Sequence, residues 1–498
     1  MSTTGSDRSG RPELGLLGID LGTSSVKAVI TDARAVVLAQ VARPYAVDHP
    51  GRGWSQTDPD LWWAAVVEAT RAAAETAGVN ISGIGLAGQM HGVVMVDDDG
   101  HHLRPAILWS DSRAVDQLAA YRSLPAAAIR RLANPLSPGM FGPILAWLTA
   151  NELDVVAAAR WALSPKDWIR FRLTGTAASE PSDASATLLY DIPGDGWDLE
   201  VAAAVGVDPR LLPSLVPHSA ARSGSLLAPA AAALGLPAGI PVAAGGGDTA
   251  VAALGSGIVA TGQGQLTLGT GIQIVVPDAA PTAGPATPVT HLYRAATDRG
   301  WYRMAAALNG GSTLDWVRRL FDASWTELYA TAEQPISQDA PIFLPHLLGE
   351  RTPYLDPALR GSWALLDPRH DRRDLLRSAL EGVALTTRAA WNALQSAGCP
   401  ATTLQLAGGG TTSPAWQQLL ADTLQVDLYP VEVVAASGRG AAVLGGRAAE
   451  IFDEPEAVAL VSPDRAGSVV TARPAPATRS AERFDRFERL LHAQRAAY

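Results

Sequence analysis

A short pattern that occurs twice constrains the fold of this chain more than any other feature. Residues 21–32 read LGTSSVKAVITD, and residues 268–278 read LGTGIQIVVPD, which is one residue shorter. Each copy is a Leu-Gly-Thr turn between two apolar runs, the second of which ends at an Asp, so each copy predicts a β-hairpin. A repeated unit of this kind indicates two related domains, although a match this short also arises by chance.

The first of these turns combines small residues with a carboxylate. Asp20 stands at its base, and Gly22, Thr23 and Ser24 form its tip. Free backbone N–H groups suit a phosphate, and a hard oxygen ligand beside them suits Mg²⁺. Gly269 and Thr270 repeat the pattern in the second turn, so two facing hairpins are able to hold a polyphosphate. An ordinary tight turn has the same composition, and that alternative stays open.

The segment between the two hairpins contains a single carboxylate after three glycines. Residues 240–257 read IPVAAGGGDTAVAALGSG, in which Pro241–Ala244 predicts a short buried strand and the alanine-rich part predicts a helix. This order predicts Asp248 as the N-cap of that helix. An isolated GGGD segment is more often only a cap than a functional site.

Two further segments have the composition of a ligand site. Gln89, Met90 and His91 lie between two glycines, in a loop that joins the predicted strands Ile81–Leu86 and Val93–Val96. Hydrogen-bond donors, acceptors and an apolar surface together suit a polyhydroxylated ligand, although a loop with a structural histidine explains them equally. Trp109 offers an aromatic face beside Asp111 and Arg113.

Glycines also lie before the predicted helices of the second half. Gly409 and Gly410 separate the strand Leu404–Leu406 from the helix Ala415–Thr423, so nothing bulky stands between the backbone and a ligand at the helix N-terminus. Asn309 opens a turn that we expect to cap a helix beginning near Thr313. The stripe of apolar residues in Asp374–Gln395 predicts a core helix.

Other polar segments have structural interpretations. We expect Ser182–Ser185 to form a polar loop, Asp167 and Asp183 to act as ordinary caps, and Ser437–Gly440 to begin the helix Ala441–Ala449.

Composition narrows the class of protein. A chain of 498 residues predicts two to four domains, and a net charge of −10 argues against sequence-independent binding to nucleic acid. No apolar run approaches the ~18 residues that span a bilayer. Residues 1–12 predict a disordered polar leader without the apolar core of a signal peptide. With Cys399 as the only cysteine, we expect a soluble cytoplasmic protein with no membrane partner.

These motifs, in this order, resemble the FGGY family of carbohydrate kinases over roughly residues 14–450. Many separated strings carry the resemblance: LGIDLGTSSVKAVI, GLAGQMHGVV, ILWSDSRA, SPKDWIRFRLTG, SDASATLLYD, AAGGGDTA, LNGGSTLDWVR, FLPHLLGERTPYLDPALRGSW and LAGGGTTSPAWQQLLAD. The Gln-Met-His string is typical of the xylulokinase branch. The resemblance therefore implies phosphorylation of D-xylulose to D-xylulose 5-phosphate, with ATP and Mg²⁺ as the nucleotide and metal.

The fold that the resemblance implies is α/β, with two actin-like (ribonuclease H-like) domains and a cleft between them. We expect an N-terminal domain at residues 13–253, with the sugar site and the first phosphate turn. We expect a C-terminal domain at residues 254–498, with the nucleotide site and a C-terminal helix. A homodimer is common in the family.

The resemblance also implies roles for individual residues. Asp248 would be the catalytic base, and Asp20 would organise magnesium together with it. The sugar site would comprise Gln89, Met90, His91, Trp109, Asp248 and Thr249. The nucleotide site would comprise Gly22, Thr23, Ser24, Gly269, Thr270, Asn309, Gly409 and Gly410.

Three positions depart from the family pattern. Thr249 stands where the family often has Asn or Gln, Gly271 stands where a serine is common, and Ser437–Gly440 replaces a Glu-containing segment expected near the adenine. Thr249 leaves room for another acceptor, such as ribulose, gluconate or glycerol. A non-catalytic actin-like ATP- or sugar-binding protein is a further alternative, against which the presence of both Asp20 and Asp248 argues.

Overall fold

The computed structural model describes residues 14–280, 283–333, 339–399, 401–462 and 468–496. The predicted leader, residues 1–12, lies outside the described residues. Within the described ranges, no helix is long and apolar enough to cross a membrane.

The first half of the chain forms a mixed sheet in the order β5-β6-β4-β1-β2-β3, with β7 also paired to β4. The strand bounds are β1 (Leu14–Leu21), β2 (Ser25–Asp32), β3 (Val37–Pro44), β4 (Asn80–Gly88), β5 (Arg222–Ser225), β6 (Pro241–Ala243) and β7 (Gly246–Gly247). Strands β1, β2 and β3 are antiparallel neighbours, whereas β4 runs parallel to β1 and β6 runs parallel to β4.

The second half forms another mixed sheet in the order β10-β11-β9-β8-β12-β13. The strand bounds are β8 (Gln265–Leu268), β9 (Ile272–Asp278), β10 (His291–Arg294), β11 (Trp301–Ala307), β12 (Thr403–Ala407) and β13 (Asp427–Pro430). Strands β8, β9 and β11 are antiparallel neighbours, whereas β12 runs parallel to β8 and β13 runs parallel to β12.

The two sheets therefore repeat one arrangement. In each, a hairpin and a third antiparallel strand are followed by two parallel strands on the other side of the first strand. The hairpins β1–β2 and β8–β9 are the two Leu-Gly-Thr hairpins, and their antiparallel pairing is confirmed. Because the same strand order and directions recur, the short sequence match reflects two domains of like topology. The predicted α/β architecture with two such domains is confirmed.

Helices cover the sheets and extend beyond them. The longer ones are α1 (Pro59–Ala77), α2 (Phe141–Asn151), α3 (Pro165–Thr174), α4 (Asp248–Gly255), α5 (Gly311–Leu320), α6 (Arg372–Ser396), α7 (Pro414–Leu424), α8 (Ala436–Ala448) and α9 (Pro474–Arg495). Helix α6 buries its whole predicted stripe in the core of the second domain, as expected from its helical period.

Short elements complete the described structure. The short helices are Leu118–Arg122, Ala126–Leu132, Leu153–Ala158, Pro181–Ala184, Leu199–Ala204, Ala228–Leu234, Trp325–Ala330 and Glu454–Val461, with single 3₁₀ turns at Arg113–Val115, Pro209–Leu211 and Thr331–Glu333. Two-stranded pairs join Gln56–Thr57 to Ala106–Ile107, Val94–Val96 to Trp161–Leu163, Tyr190–Asp191 to Gly196–Trp197, and Ile342–Leu344 to Ser362–Ala364.

Helix α8 links the two halves, because it packs on the first sheet although the strands before it belong to the second. Glycines make this close approach possible. A Cβ at Gly18 would collide with the carbonyl of Gly438, and one at Gly85 would collide with the carbonyl of Ala441. The division of the chain between residues 253 and 254 stays a prediction, since α8 contributes to the first domain's packing.

One local expectation is wrong. Ser182–Ser185 is not a loop, because Pro181–Ala184 forms a buried helical turn. Ser437–Gly440 does lie at the start of a helix, since α8 begins at Ala436, and Arg439 hydrogen-bonds to the carbonyls of Ala35, Gly255 and Leu460. The segment therefore packs against the first sheet and does not line the cavity of the second domain described below.

Candidate active site

The candidate site lies where three parallel strands of the first sheet end together. In the register of the sheet, Asp20 of β1 pairs with Ala87 of β4, and Ala87 pairs with Gly246 of β7. Asp248 follows β7 directly, and Gln89 follows β4. Because the carboxyl ends of parallel strands meet at one edge, residues that are distant in sequence converge there.

Asp248 opens helix α4 but is not its N-cap. The cap residue is Gly247, one position earlier, so Asp248 occupies the first helical turn and does not cap it with its side chain. The Asp248 carboxylate instead accepts from the adjacent backbone, the N–H of Thr249, over 2.6 Å. Burial, and next the negative charge of Asp20, raise the pKa of Asp248 to about 7. A carboxylate with this pKa is suited to accept a proton near neutral pH.

Asp20 is the second carboxylate of this edge. It is 7% exposed, and burial raises its pKa, while the charge of Lys27, whose Nζ lies 3.8 Å from Oδ2, opposes the rise. The negative charge of Asp20 raises the pKa of Asp248, so the two carboxylates interact electrostatically at the end of the sheet. Paired hard oxygen ligands of this kind suit Mg²⁺.

The first Leu-Gly-Thr turn is held by residues that we expected to touch a sugar. The Gly22 carbonyl accepts from the Tyr45 hydroxyl and, over 3.3 Å, from Nε2 of Gln89. The Trp109 indole N–H donates to Oγ1 of Thr23 over 2.9 Å. Gln89 and Trp109 therefore support the turn in this structure. Ser24 is exposed at its tip.

Met90 and His91 continue from Gln89 into the site. Met90 is 5% exposed and packs against Gly247. A Cβ added to Gly247 would lie 2.9 Å from the Cγ of Met90. His91 has a left-handed backbone (φ 73°), and its Nδ1 lies 2.9 Å from the Ala186 carbonyl oxygen. Burial lowers the pKa of His91 to about 4. Because a carbonyl only accepts, Nδ1 carries the proton of this neutral ring and Nε2 is an acceptor.

Thr249 connects Asp248 to the second domain. Its hydroxyl lies 3.3 Å from Oδ1 of Asp248, and Nε2 of Gln273, on β9, lies 3.3 Å from the same hydroxyl. The second hairpin thus reaches the candidate base through Thr249. Sequence reasoning missed Gln273, for which the only available signal was its position just after the repeated turn.

A buried ionic cluster lies behind the site. The Lys166 ammonium is fully buried, with oxygens of Asp167 at 2.6 Å, Asp183 at 3.0 Å and Glu180 at 3.4 Å. The expectation that Asp167 and Asp183 are ordinary caps is wrong, because both neutralise this lysine. Glu180 accepts from the hydroxyl of Ser182, which in turn accepts from the N–H of Gly247 over 3.0 Å. The cluster therefore fixes the backbone that precedes Asp248.

A cavity of about 710 Å³ opens in the second domain beside the second turn. Gly269 and Thr270, and Gly409 and Gly410, line it from two sides, as we expected for a nucleotide site. A Cβ at Gly269 or Gly409 would meet no atom within 4 Å, so both backbones face open space that a ligand is able to occupy. Trp325 and Tyr329, whose rings stack with centroids 5.5 Å apart, add an aromatic wall that sequence patterns did not reveal.

Asn309 does not face this cavity. It is fully buried, and its Nδ2 donates to the Gly349 carbonyl over 2.7 Å and to Oε2 of Glu350 over 2.9 Å. The turn also lacks a side-chain cap, because the N-cap of α5 is Gly310. In this structure Asn309 anchors the loop around Glu350, and its contact with a nucleotide stays a prediction.

Comparison with known proteins agrees with this geometry. The family model of the FGGY carbohydrate kinase N-terminal domain matches residues 16–255, and that of the C-terminal domain matches residues 264–449. The chain belongs to the FGGY family of carbohydrate kinases. It is therefore a carbohydrate kinase that transfers a phosphoryl group from ATP to an alcohol group.

Individual relatives match this FGGY kinase over nearly its whole length. It is 33% identical to a xylulose kinase from Escherichia coli strain K12, over 88% of this chain and 90% of that protein. The crystal structure of a xyloylose kinase from Brucella ovis matches with a TM-score of 0.90 and 34% identity, covering 97% of this chain and all of that one. A gluconate kinase from Lactobacillus acidophilus matches with a TM-score of 0.91 and 23% identity, over 98% and 99% of the two chains. These matches confirm the actin-like fold.

Proposed function

We propose that this FGGY kinase phosphorylates D-xylulose on its terminal 5-hydroxyl. The relatives named as xylulose kinases and the Gln-Met-His string support this acceptor. The observation that carries the proposal is the convergence of Asp20, the Gln89–His91 loop and Asp248 at one edge of the first sheet. A base and a polar loop for hydroxyl groups thus lie together beside a phosphate turn.

Asp248 is the general base in this proposal. It accepts the proton of the 5-hydroxyl while that oxygen attacks the γ-phosphorus of ATP, and the bond between the γ-phosphorus and the bridging oxygen breaks to release ADP. Phosphoryl transfer depends mainly on positioning and on charge neutralisation. Two hydrogen bonds fix the position of the Asp248 carboxylate. The N–H of Thr249 donates to the carboxylate itself, and the N–H of Gly247, the preceding residue, donates to the Ser182 hydroxyl.

The nucleotide binds between the two Leu-Gly-Thr turns. Gly269, Thr270, Gly409 and Gly410 contact it in the 710 Å³ cavity, a volume within the usual range for small-molecule sites. Gly22, Thr23 and Ser24 offer their backbone and hydroxyl groups to the transferring phosphate. The open space beside Gly269 and Gly409 supports this assignment.

Asp20 and Asp248 fit a magnesium site, because both are carboxylates and their like negative charges repel each other at the sheet edge. A cation bound there would relieve that repulsion. When bound, Mg²⁺ neutralises phosphate charge. Metal-free protein should bind MgATP more tightly than ATP alone, and Asp20→Asn should reduce that difference, as measured by calorimetry.

Met90 and His91 bind the sugar in this proposal. The free Nε2 of His91 accepts from a sugar hydroxyl, and Met90 supplies an apolar surface beside Gly247. Gln89 Nε2, the Trp109 indole N–H and the Thr249 hydroxyl then act through the phosphate turn and the base, because these atoms are engaged there.

A coupled assay of ADP release tests the acceptor. Purified enzyme is given ATP with D-xylulose, D-ribulose, D-gluconate or glycerol, and we expect the highest kcat/KM with D-xylulose. A higher value with another member of the panel overturns the proposed acceptor. Thr249, which departs from the family pattern, leaves room for D-ribulose, D-gluconate or glycerol as the acceptor.

A homodimer is a further part of the proposal and rests on the family resemblance. Light scattering on the purified chain should give twice the mass of 51.9 kDa.

A further inference from the structure

A single arginine of the second domain reaches the sugar side of the cleft. Arg351 lies in a loop of the second domain, shortly after the strand Ile342–Leu344. Its guanidinium carbon nevertheless lies 5.2 Å from the ring centroid of Trp109, which belongs to the first domain. Trp109 in turn donates to Thr23 of the first phosphate turn. The cation therefore lies over the aromatic wall of the cleft and spans the two domains.

The backbone on both sides of Arg351 is fixed. Oε1 of Glu350 accepts from the N–H of Arg351 over 2.9 Å and from that of Leu308 over 2.6 Å. Oε2 of Glu350 accepts from Asn309 over 2.9 Å and lies 3.1 Å from Nδ1 of the buried His346. On the other side, the N–H of Thr352 donates to the Ala306 carbonyl. The loop thus presents Arg351 in one position.

The guanidinium itself has no such partner. In the described part of the chain, no carboxylate lies within the 4.0 Å of an ion pair from Arg351, and its side chain makes no hydrogen bond to protein. The side chain is half-buried, and burial lowers its pKa. The contact with the Trp109 ring leaves the N–H donors of the guanidinium unpaired by protein within the described residues, so they are able to bind a ligand.

The groups around Arg351 are those of the sugar side. His91 lies across from Tyr293, with ring centroids 6.3 Å apart, and the Tyr293 hydroxyl lies 2.6 Å from Nδ1 of His291. The positive charge of Arg351 lowers the pKa of both histidines, after the larger effect of burial. Arg351 therefore lies on the side of the cleft that carries His91 and Trp109.

We propose that Arg351 binds the acceptor sugar from the second domain, donating to one of the oxygens that do not react. The inference rests on the proposed sugar site and adds its missing donor. His91 Nε2 only accepts when the ring is neutral, whereas a guanidinium only donates. A sugar held between them satisfies both, and an open-chain ketose offers a carbonyl oxygen that requires a donor.

This contact also couples sugar binding to the position of the domains. His91 belongs to the first domain and Arg351 to the second, so a sugar that touches both is bound fully only when the cleft is closed around it. Closure would then exclude water, which otherwise competes for the γ-phosphate.

The test compares Arg351→Met with wild type in the ADP-release assay, using whichever acceptor of the panel the wild-type enzyme prefers. Because a hydrogen bond from a charged group is lost, we expect the sugar KM to rise about 10- to 100-fold. The ATP KM should stay within about twofold. Arg351→Lys keeps the charge and should recover part of the affinity. Arg369→Met, an exposed arginine paired with Asp367, is the matched control and should behave as wild type.

Two outcomes overturn the inference. An unchanged sugar KM in Arg351→Met removes Arg351 from the sugar site, and an ATP KM that rises as much as the sugar KM assigns it to the phosphates. The affinity for the sugar without ATP, measured by calorimetry, gives a second readout. If Arg351→Met does not fold, the same two measurements are made on Arg351→Lys. Failure of D-xylulose as the preferred acceptor refutes the proposed function separately, because the KM comparison uses the sugar that wild type prefers.

Discussion

The Thr249 hydroxyl lies 3.3 Å from Oδ1 of Asp248, and the backbone N–H of Thr249 donates to the same oxygen over 2.6 Å. The residue next to the candidate base therefore holds that base. Gln273 of the second domain binds the same hydroxyl, which places Thr249 between the base and the second hairpin. A residue that we first expected to touch sugar thus has a different set of partners in the folded chain.

Removing the Thr249 hydroxyl should affect turnover more than sugar affinity. One hydrogen bond contributes about 0.5–1.5 kcal/mol, so Thr249→Val should lower kcat about 3- to 10-fold and leave the sugar KM within about twofold. The exposed Thr76→Val is the control. A rise in sugar KM at constant kcat would instead indicate direct contact between Thr249 and the sugar.

Replacing the candidate base should abolish most turnover while nucleotide binding persists. A positioned general base contributes about 10²–10⁴ in rate, and Asp248→Asn should lower kcat by that factor. The nucleotide cavity lies in the second domain and lacks Asp248 in its lining, so ATP should still bind, as measured by calorimetry. Full turnover in this variant would refute the assignment of the base.

The reaction should slow below neutral pH. Asp248 acts as a base only when ionised, and burial raises its pKa to about 7 in the free protein. The profile of kcat/KM against pH should therefore fall on the acid side with an apparent pKa near this value. In Thr249→Val this limb should move to higher pH, because the hydrogen bond from the Thr249 hydroxyl, which the variant lacks, lowers the pKa of Asp248. A profile that stays flat down to about pH 5 would contradict the assignment.

The same carboxylate should cost stability at high pH. Its pKa is raised from 3.8, the ordinary value of an Asp side chain, to about 7 in the folded chain, so the folded state binds the proton more tightly than the unfolded state. Stability from this group is present below the unfolded pKa and is lost as pH rises through the folded one. Ligand-free Asp248→Asn should therefore have a higher Tm than wild type at about pH 8, with the difference shrinking as the pH falls and disappearing only below about pH 4. A lower Tm for the variant at the higher pH would contradict this sign.

Loss of Lys166 should destabilise the first domain. Breaking a buried ion pair by removing one partner costs about 3–5 kcal/mol, because an uncompensated charge remains, and Lys166→Met leaves Asp183 and Glu180 without their cation. Burial raises the pKa of Asp183 to about 7, so Asp183→Asn alone should be mild and should recover part of the loss in the double variant. Denaturant titration measures both, and equal stability of Lys166→Met and wild type would exclude the effect.

Two glycines should respond differently to a side chain. A Cβ at Gly409 meets no atom within 4 Å and points into the nucleotide cavity, so Gly409→Val should raise the ATP KM tenfold or more at nearly unchanged Tm. At Gly18 the Cβ would collide with the backbone of α8, so Gly18→Ala should lower Tm. An ATP KM that is insensitive to Gly409→Val would remove this glycine from the nucleotide site.

Much of the fold was predictable because its signals are local. The hairpins and the apolar stripe of α6 follow from periodicity and turn residues that lie close together in the chain. Family resemblance then implied two domains and a base at Asp248. The triple glycine before α7 likewise predicted part of the cavity wall, because a run of glycines in the sequence is enough to show where a ligand is able to approach the backbone closely.

Tertiary structure decided which polar residues share a site and which support one another. Asn309 carries no local sign that it anchors the loop of Arg351, because its partners, Gly349 and Glu350, lie 40 and 41 residues away. Lys166, Asp183 and Glu180 look like loop and cap residues in sequence, and only packing makes them a buried cluster. The sequence by itself determined the family, the repeated hairpins and the identity of the carboxylates. Only the tertiary structure brought Arg351 over Trp109, because a contact between two domains depends on how their sheets are joined and not on any local pattern.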